Sequence, residues 1–239
     1  MRNKYLVWLY QPYKYLILIP LAIADTAFFT VFTWLFSFFS ARLAGYAAKA
    51  WAKVIRWLTP MPVKLVGTEN IKDGQSYVIV ANHQSAYDII LVYSSLPIDF
   101  RWIMKKELRQ VPLLGFACEM CGHIFLDRSS ARNAYRSIQK AKEILTDGTS
   151  VVIFPEGHRS GRPEMNEFKH GAFRMAFELG LPMLPVSIKD TCRVMPTGIH
   201  TLYPARTQLT IHPAVDVNDF EGRRDELIKH LQGIIASAV

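Results

Sequence analysis

From Tyr15 to Phe39 the chain reads YLILIPLAIADTAFFTVFTWLFSFF. This apolar run is about as long as a helix that crosses the hydrocarbon core of a bilayer, and only Pro20 and Asp25 interrupt it. The next stretch, ARLAGYAAKAWAKVIRWL at 41–58, has a different pattern. At about 100° per residue, Arg42, Lys49, Lys53 and Arg56 fall in one narrow arc, and Leu43, Ala47, Trp51, Val54, Ile55 and Leu58 lie opposite. The pattern predicts a basic amphipathic helix lying in the headgroup plane, its cations meeting anionic lipid. Packing of the same face on a folded domain is the alternative, and amphipathicity does not separate the two. Pro60 and Pro62 then mark a boundary, giving an N-terminal membrane-anchoring helical segment over 1–60 and a folded domain over 61–239.

Beyond the boundary short β-like runs alternate with helical stretches. The runs are Val63–Val66, Tyr77–Ala81, Arg101–Met104, His123–Leu126, Val151–Phe154, Leu184–Ile188 and Gln208–Ile211. Helical periodicity marks Ala86–Ser95, Ser130–Leu145, Gly171–Leu179 and Arg223–Ala236. The expected class is α/β, a mixed sheet covered by helices and preceded by the membrane-embedded segment and the amphipathic helix. In such sheets ligand sites gather where strands run out into loops. Three exits carry unusual polar residues: ANHQSAYD after Ala81, LDRSS after Phe125, and PEGHRS after Phe154.

Composition narrows the class. Half of the 239 residues are hydrophobic and a fifth are charged, which excludes a disordered chain. The net charge is +8, yet residues 1–60 hold seven Lys and Arg against the single acid Asp25, so most of the excess belongs to the apolar N-terminus. That placement points to a membrane surface, and no nucleic-acid motif is present. Arg2, Lys4 and Lys14 precede the apolar run, and four cations follow it. A near-symmetric count favours a re-entrant hairpin with both ends on the cytoplasmic side over a spanning helix. The run is too long for the usual core of a cleaved signal peptide.

The first exit sets His83 five residues before Asp88. A carboxylate that accepts from one imidazole nitrogen fixes the tautomer and stabilises the imidazolium formed when the other nitrogen takes a proton. On a continuous helix these positions point about 140° apart, so contact requires His83 in the loop and Asp88 in the first helical turn, with Ser85 suited to the N-cap. Arg128 and Arg159 have the planar forks that suit a phosphate, and Gly157 lets backbone approach a ligand. Glu156 would accept from a hydroxyl-bearing substrate or hold an arginine in place. No GxSxG elbow occurs, so direct transfer is the simpler scheme: His83 deprotonates a hydroxyl, which attacks an activated acyl carbonyl.

These residues resemble the glycerolipid acyltransferases, with the bacterial 1-acylglycerol-3-phosphate acyltransferases most similar in length and layout. Asn82-His83 to Asp88 matches the family's NHxxxxD. Lys105 to Leu108, Pro112, Gly115 and Phe125-Leu126-Asp127-Arg128 match its second block. Phe154-Pro155-Glu156-Gly157-His158-Arg159 resembles FPEGTR, and Leu184-Pro185-Val186-Ser187-Ile188 resembles the fourth block. The resemblance implies an enzyme that acylates the sn-2 hydroxyl of lysophosphatidate to give phosphatidate in phospholipid biosynthesis. His83 is then the base, Asp88 orients it, and Arg128, Glu156, Gly157 and Arg159 hold the glycerol-phosphate end. It further implies an acyl-CoA or acyl-carrier-protein thioester as co-substrate, neither metal nor cofactor, and a two-helix element seated in one leaflet of a bacterial inner membrane, the catalytic domain on the cytoplasmic side. His158 stands where the family commonly has Thr.

Two readings compete: an acyltransferase for another lysophospholipid or a lyso-aminolipid, and a catalytically silent lipid-binding protein. The paired Arg128 and Arg159 favour a phosphate acceptor, and a scaffold has no need of a base. Cys118-Glu119-Met120-Cys121 followed by His123 invites a zinc reading, but the stretch is apolar and lacks a paired second half, so buried thiols are expected.

Overall fold

A computed structural model describes residues 4–127, 129–145, 148–196 and 198–239. Seven strands form one mixed sheet: β1 Val63–Val66, β2 Val78–Ala81, β3 Phe100–Lys105, β4 Ile124–Leu126, β5 Ser150–Ile153, β6 Met183–Lys189 and β7 Thr207–Ile211. Their order is β1-β7-β6-β2-β5-β3-β4. All pairings are parallel except β6 with β7, so β1 and β7 run against the others. The seven runs expected from the sequence all coincide with strands. The central strands β2 and β5 are buried at every residue, as expected of parallel strands covered on both faces. Successive side chains of β2 feed opposite cores. Val78 and Val80 join one cluster with Phe173, Leu227 and Leu231, and Ile79 and Ala81 join the other with Leu91, Ile55 and Leu58. Burying each large aliphatic side chain contributes about 1.5–3 kcal/mol.

The helices are α1 Lys4–Tyr13, α2 Ile19–Ser37, α3 Ala41–Leu58, α4 Tyr87–Ser95, α5 Leu114–Met120, α6 Ala131–Ile144, α7 His170–Leu179, α8 Thr191–Val194 and α9 Arg224–Ala236. The short helices α5 and α8 had no periodic signature in the sequence. A π-helical turn, Lys14–Leu18, joins α1 to α2. Pro20 follows at once; its missing N–H and its ring disfavour an ordinary turn there, and the wider turn accommodates both.

The apolar run therefore does not fold back on itself. Val7–Ser37 is one helical stretch, long and apolar enough to cross a membrane and mostly unburied. The reversal comes after it, before Ser40, whose hydroxyl caps α3 by accepting from the Leu43 N–H at 3.1 Å. Both flanks of the run are tied to the α/β body. On one side the fully buried Lys14 donates from Nζ to the His200 carbonyl at 2.7 Å and sits over the Tyr203 ring, and Tyr13 Oη donates to the Leu58 carbonyl. On the other, α3 packs against α4.

The cations of α3 correct the sequence expectation. Arg42 pairs with Asp99 at 3.2 Å, Lys49 donates to the carbonyls of Ile98 and Leu96 at 2.5 and 3.2 Å, and Arg56 donates to Ser95 Oγ at 3.1 Å. Carbonyls, a carboxylate and a hydroxyl around the α4–β3 turn thus bond three of the four cations expected to meet lipid, while Lys53 stays exposed. The outward face of the helix instead presents Leu43, Tyr46, Lys53 and Trp57, three of them apolar or aromatic.

Candidate active site

The loops after β2 and β5, adjacent strands of the sheet, meet at the carboxyl edge. His83 leaves β2 in the loop, and Asp88 sits in the first turn of α4, so the five-residue spacing does bring them together: His83 Nδ1 lies 2.7 Å from Asp88 Oδ2. Asp88 is fully buried. Its Oδ2 also accepts from the N–H groups of Gln84 and Ser85 at 2.7 and 2.9 Å, and its Oδ1 accepts from Thr191 Oγ1 at the start of α8. The carboxylate acts only as an acceptor, so Nδ1 of His83 carries the proton and Nε2 presents a lone pair. His83 is slightly exposed, and Nε2 has no partner among the described residues. Phe154, the last residue before the third exit, stacks on the imidazole at 4.0 Å and 5° between planes, and so fixes its tilt.

Two further side chains hold the frame. Asn82 continues β2 with its amide: Nδ2 donates to the Ile188 carbonyl at 2.8 Å, and Oδ1 accepts from the Ile188 N–H at 2.7 Å. Ser85 stands one residue before the N-cap expected for it, since α4 is capped at Ala86. Its hydroxyl still accepts from the Tyr87 N–H at 3.1 Å and donates to the Met195 carbonyl at 2.7 Å.

Glu156, expected as a substrate ligand, has its carboxylate turned to the backbone. It is fully buried, with Oε1 accepting from the His83 N–H at 2.6 Å and Oε2 from the Asn166 N–H at 2.7 Å. Burial raises its pKa against these bonds, which favour the anion. Glu156 faces backbone and clasps the 155–169 loop over His83. The Ser160 and Gly161 N–H groups extend the clasp to the carbonyls of His83 and Gln84 at 2.8 and 3.1 Å. Gly157 turns the chain at φ +76°, where a Cβ would come within 2.9 Å of Lys169 Nζ. Arg159 directly precedes Ser160, so it starts beside His83; its guanidinium is exposed, as is His158. Arg128 lies outside the described residues.

The second exit forms a separate recess of about 780 Å³ beside the ends of β3 and β4, lined by Lys105, Lys106, Gln110, Asp127 and Ser129 among others. Asp127 is held by Ser129, whose hydroxyl and N–H donate at 2.6 and 3.0 Å, and by Lys106 Nζ at 2.9 Å, which together hold its carboxyl well below the usual range. Asp127 is therefore an anchor for Lys106 and the loop.

Among the described residues the cysteine-rich stretch gathers no group of three metal-ligating side chains. His123 is buried, its Nδ1 accepts from the Trp102 N–H at 3.3 Å, and its Nε2–H therefore donates to Tyr93 Oη, so both ring nitrogens are used. Burial pushes the thiols of Cys118 and Cys121 up to about 11 and 12.

Of the residues that hold His83, sequence reasoning missed Thr191 and Phe154 as partners and read Asn82 only as a motif letter. Asn82 and Phe154 carried a signal, a polar residue and an aromatic at strand exits. Thr191 carried none, because its contact depends on β6 lying next to β2.

Comparison with known proteins places this geometry. A family model described as Acyltransferase matches residues 62–189. A 1-acyl-sn-glycerol-3-phosphate acyltransferase of Chlamydomonas reinhardtii is 31% identical over 179 residues, covering 74% of this chain and 53% of its own. One of Borreliella burgdorferi is 28% identical over 202 residues, 81% of each chain. The chain thus spans about half the length of the algal relative and four fifths of the Borreliella one. The crystal structure of the 1-acyl-sn-glycerophosphate (LPA) acyltransferase PlsC from Thermotoga maritima superposes with a TM-score of 0.79 at 29% identity, over 97% of this chain and 93% of that one.

Proposed function

This chain belongs to the Acyltransferase family, and from that premise we propose that it moves a fatty acyl group from a thioester to the sn-2 hydroxyl of lysophosphatidate, forming phosphatidate. The observation that carries the reading is the His83–Asp88 pair, with Nδ1–H committed to a buried carboxylate and Nε2 open. Nε2 takes the proton of the acceptor hydroxyl as its oxygen attacks the thioester carbonyl. Asp88 stabilises the imidazolium. Collapse of the tetrahedral intermediate expels the thiolate, which recovers the proton from His83, so the base is regenerated and nothing is oxidised or reduced. The scheme uses acyl-CoA or an acylated carrier protein as co-substrate and neither metal nor cofactor. Arg159, joined by Arg128, is the cation proposed for the acceptor phosphate. Glu156 and Gly157 act one step back, by setting the loop that carries Arg159.

Membrane attachment through the N-terminal helix follows from its mostly unburied apolar surface. Lys14 and Arg42, at either end of the run, both bond to the same α/β body, which supports a helix lying along one leaflet; the face proposed for the catalytic domain is the cytoplasmic one, on the near-symmetric cations flanking the run. His158 beside Arg159 favours the second reading, a different lysolipid acceptor.

The test is thioester consumption by detergent-solubilised protein offered lysophosphatidate, glycerol 3-phosphate, neutral lysolipids and a lyso-aminolipid, with products read by mass spectrometry. Turnover confined to lysophosphatidate is expected, together with a loss of at least about a hundredfold in His83→Ala. Retained turnover in His83→Ala overturns the mechanism, and turnover with another acceptor only moves the specificity to His158.

A further inference from the structure

Residues 105–114, from the last residue of β3 to the first of α5, are ten successive exposed positions. Leu108, Val111, Leu113 and Leu114 lie within or at the end of this stretch, and Phe116 follows, all of them exposed. The backbone at their centre is strained. Leu113 has φ 62° and ψ −50°, and the Leu114 N–H donates to the Pro112 carbonyl at 2.7 Å, which closes the rare three-residue γ-turn that disfavours any residue with a Cβ. The turn is locked from behind. At Gly115 a Cβ would stand 2.1 Å from the Arg109 carbonyl oxygen, so the chain closes tightly on itself there. What the strain achieves is to thrust Leu113 outward, 74% exposed. In water this arrangement gains nothing, since glycine would relieve the backbone and remove the exposed apolar surface.

The surroundings say what covers it. Helix α5 packs on α2, and Ser37 Oγ meets Met120 Sδ at 3.1 Å; Phe38 and Phe39, exposed just beyond, continue the apolar surface. Lys105 is exposed at the margin of the segment, while Lys106 is paired with Asp127 and Arg109 with Glu119. An exposed apolar tip joined to an exposed apolar helix, with Lys105 at its margin, complements one leaflet of a bilayer.

We propose that Leu108–Phe116 is a second membrane-contact surface, carried by the catalytic domain itself, which inserts Leu113 into a phospholipid leaflet. The inference rests on the reading of the chain as a membrane-attached acyltransferase and adds to it a function for the segment. Because Lys105, Lys106 and Gln110 also line the recess at β3 and β4, insertion seats the mouth of that recess at the leaflet surface.

Single cysteines at Leu113 and, for reference, at Leu21 of α2 are introduced into full-length protein with the three native cysteines replaced, then spin-labelled and bound to vesicles of phosphatidylcholine and phosphatidylglycerol. Both labels are expected to lose access to an aqueous nickel chelate and gain access to oxygen. A Leu113 label that stays open to nickel while the Leu21 label is shielded overturns the proposal and leaves the anchor standing; nickel access at both overturns both. Leu113→Gly supplies a variant that cannot fail through the turn. It is expected to keep or raise Tm and to lower kcat/KM roughly tenfold for an acceptor embedded in vesicles, with turnover of a soluble short-chain acceptor unchanged. No loss on vesicles, or equal loss on both acceptors, also overturns the proposal.

Discussion

Asp88 and Glu156 are both buried carboxylates within reach of His83, and their partners separate their roles. Asp88 touches the imidazole, whereas Glu156 accepts from the backbone N–H groups of His83 and Asn166. A glutamine at 156 would place an amide N–H against one of those donors, so Glu156→Gln is expected to cost about 2–3 kcal/mol of stability and to lower kcat through a displaced His83 while leaving the acceptor KM unchanged. Thermal unfolding and steady-state kinetics check it; a raised KM at unchanged Tm would return Glu156 to the acceptor site. A second residue-scale prediction concerns pH. His123 is buried and neutral, its pKa pushed down to about 3 by burial and, secondarily, by Arg101. Unfolded chains bind the proton near pH 6.5 and the folded one does not, so His123 is expected to withdraw stability as pH falls from about 6.5 towards 3. The fall in Tm over that range should flatten in His123→Gln. At this scale the sequence was informative where a side chain acts within its own loop, as His83 and Asp88 do. It was silent where the partner arrives from another strand, as Thr191 does, and for Glu156 a motif letter did not say which way the carboxylate faces.

At the scale of elements, strands were legible because their apolar runs end in turn residues and their burial follows the sheet. Helix α5 was not: seven residues opened by a strained turn offer too few positions for a period to emerge. The amphipathic helix α3 was located correctly, but three of the four cations in its polar arc bond the α/β body, since a cationic stripe suits a lipid phosphate and a row of carbonyls equally well. Lys49 tests that assignment. Replacing it with Met keeps the stem and leaves the carbonyls of Leu96 and Ile98 without their charged donor, so chemical denaturation is expected to register a loss of about 1–3 kcal/mol in detergent, without any lipid present. An unchanged midpoint would return the stripe to the membrane.

For the whole molecule, the division at residue 60 hides a shared interior: Leu18, Ala52, Ile55 and Leu58 lie in the same core as Ile79, Leu91 and Leu184. The apolar helix and the catalytic domain are therefore one packing unit with one greasy flank. The sequence could announce the grease, but whether it folds back, spans or lies alongside depends on contacts such as Tyr13 with Leu58, which join positions 45 residues apart.

The bond from Lys14 to the His200 carbonyl also sets a timetable. Its two residues are 186 positions apart, and at ordinary ribosomal speeds of about 5–20 residues per second the first must wait roughly 10–40 s for the second. Throughout that interval the N-terminal helix has emerged without the loop that will bury Lys14, and the bilayer is the partner at hand. Attachment is thus expected to precede folding. Nascent chains stalled before His200 should already sediment with membranes, and chains that stay in the supernatant until release would reverse that order.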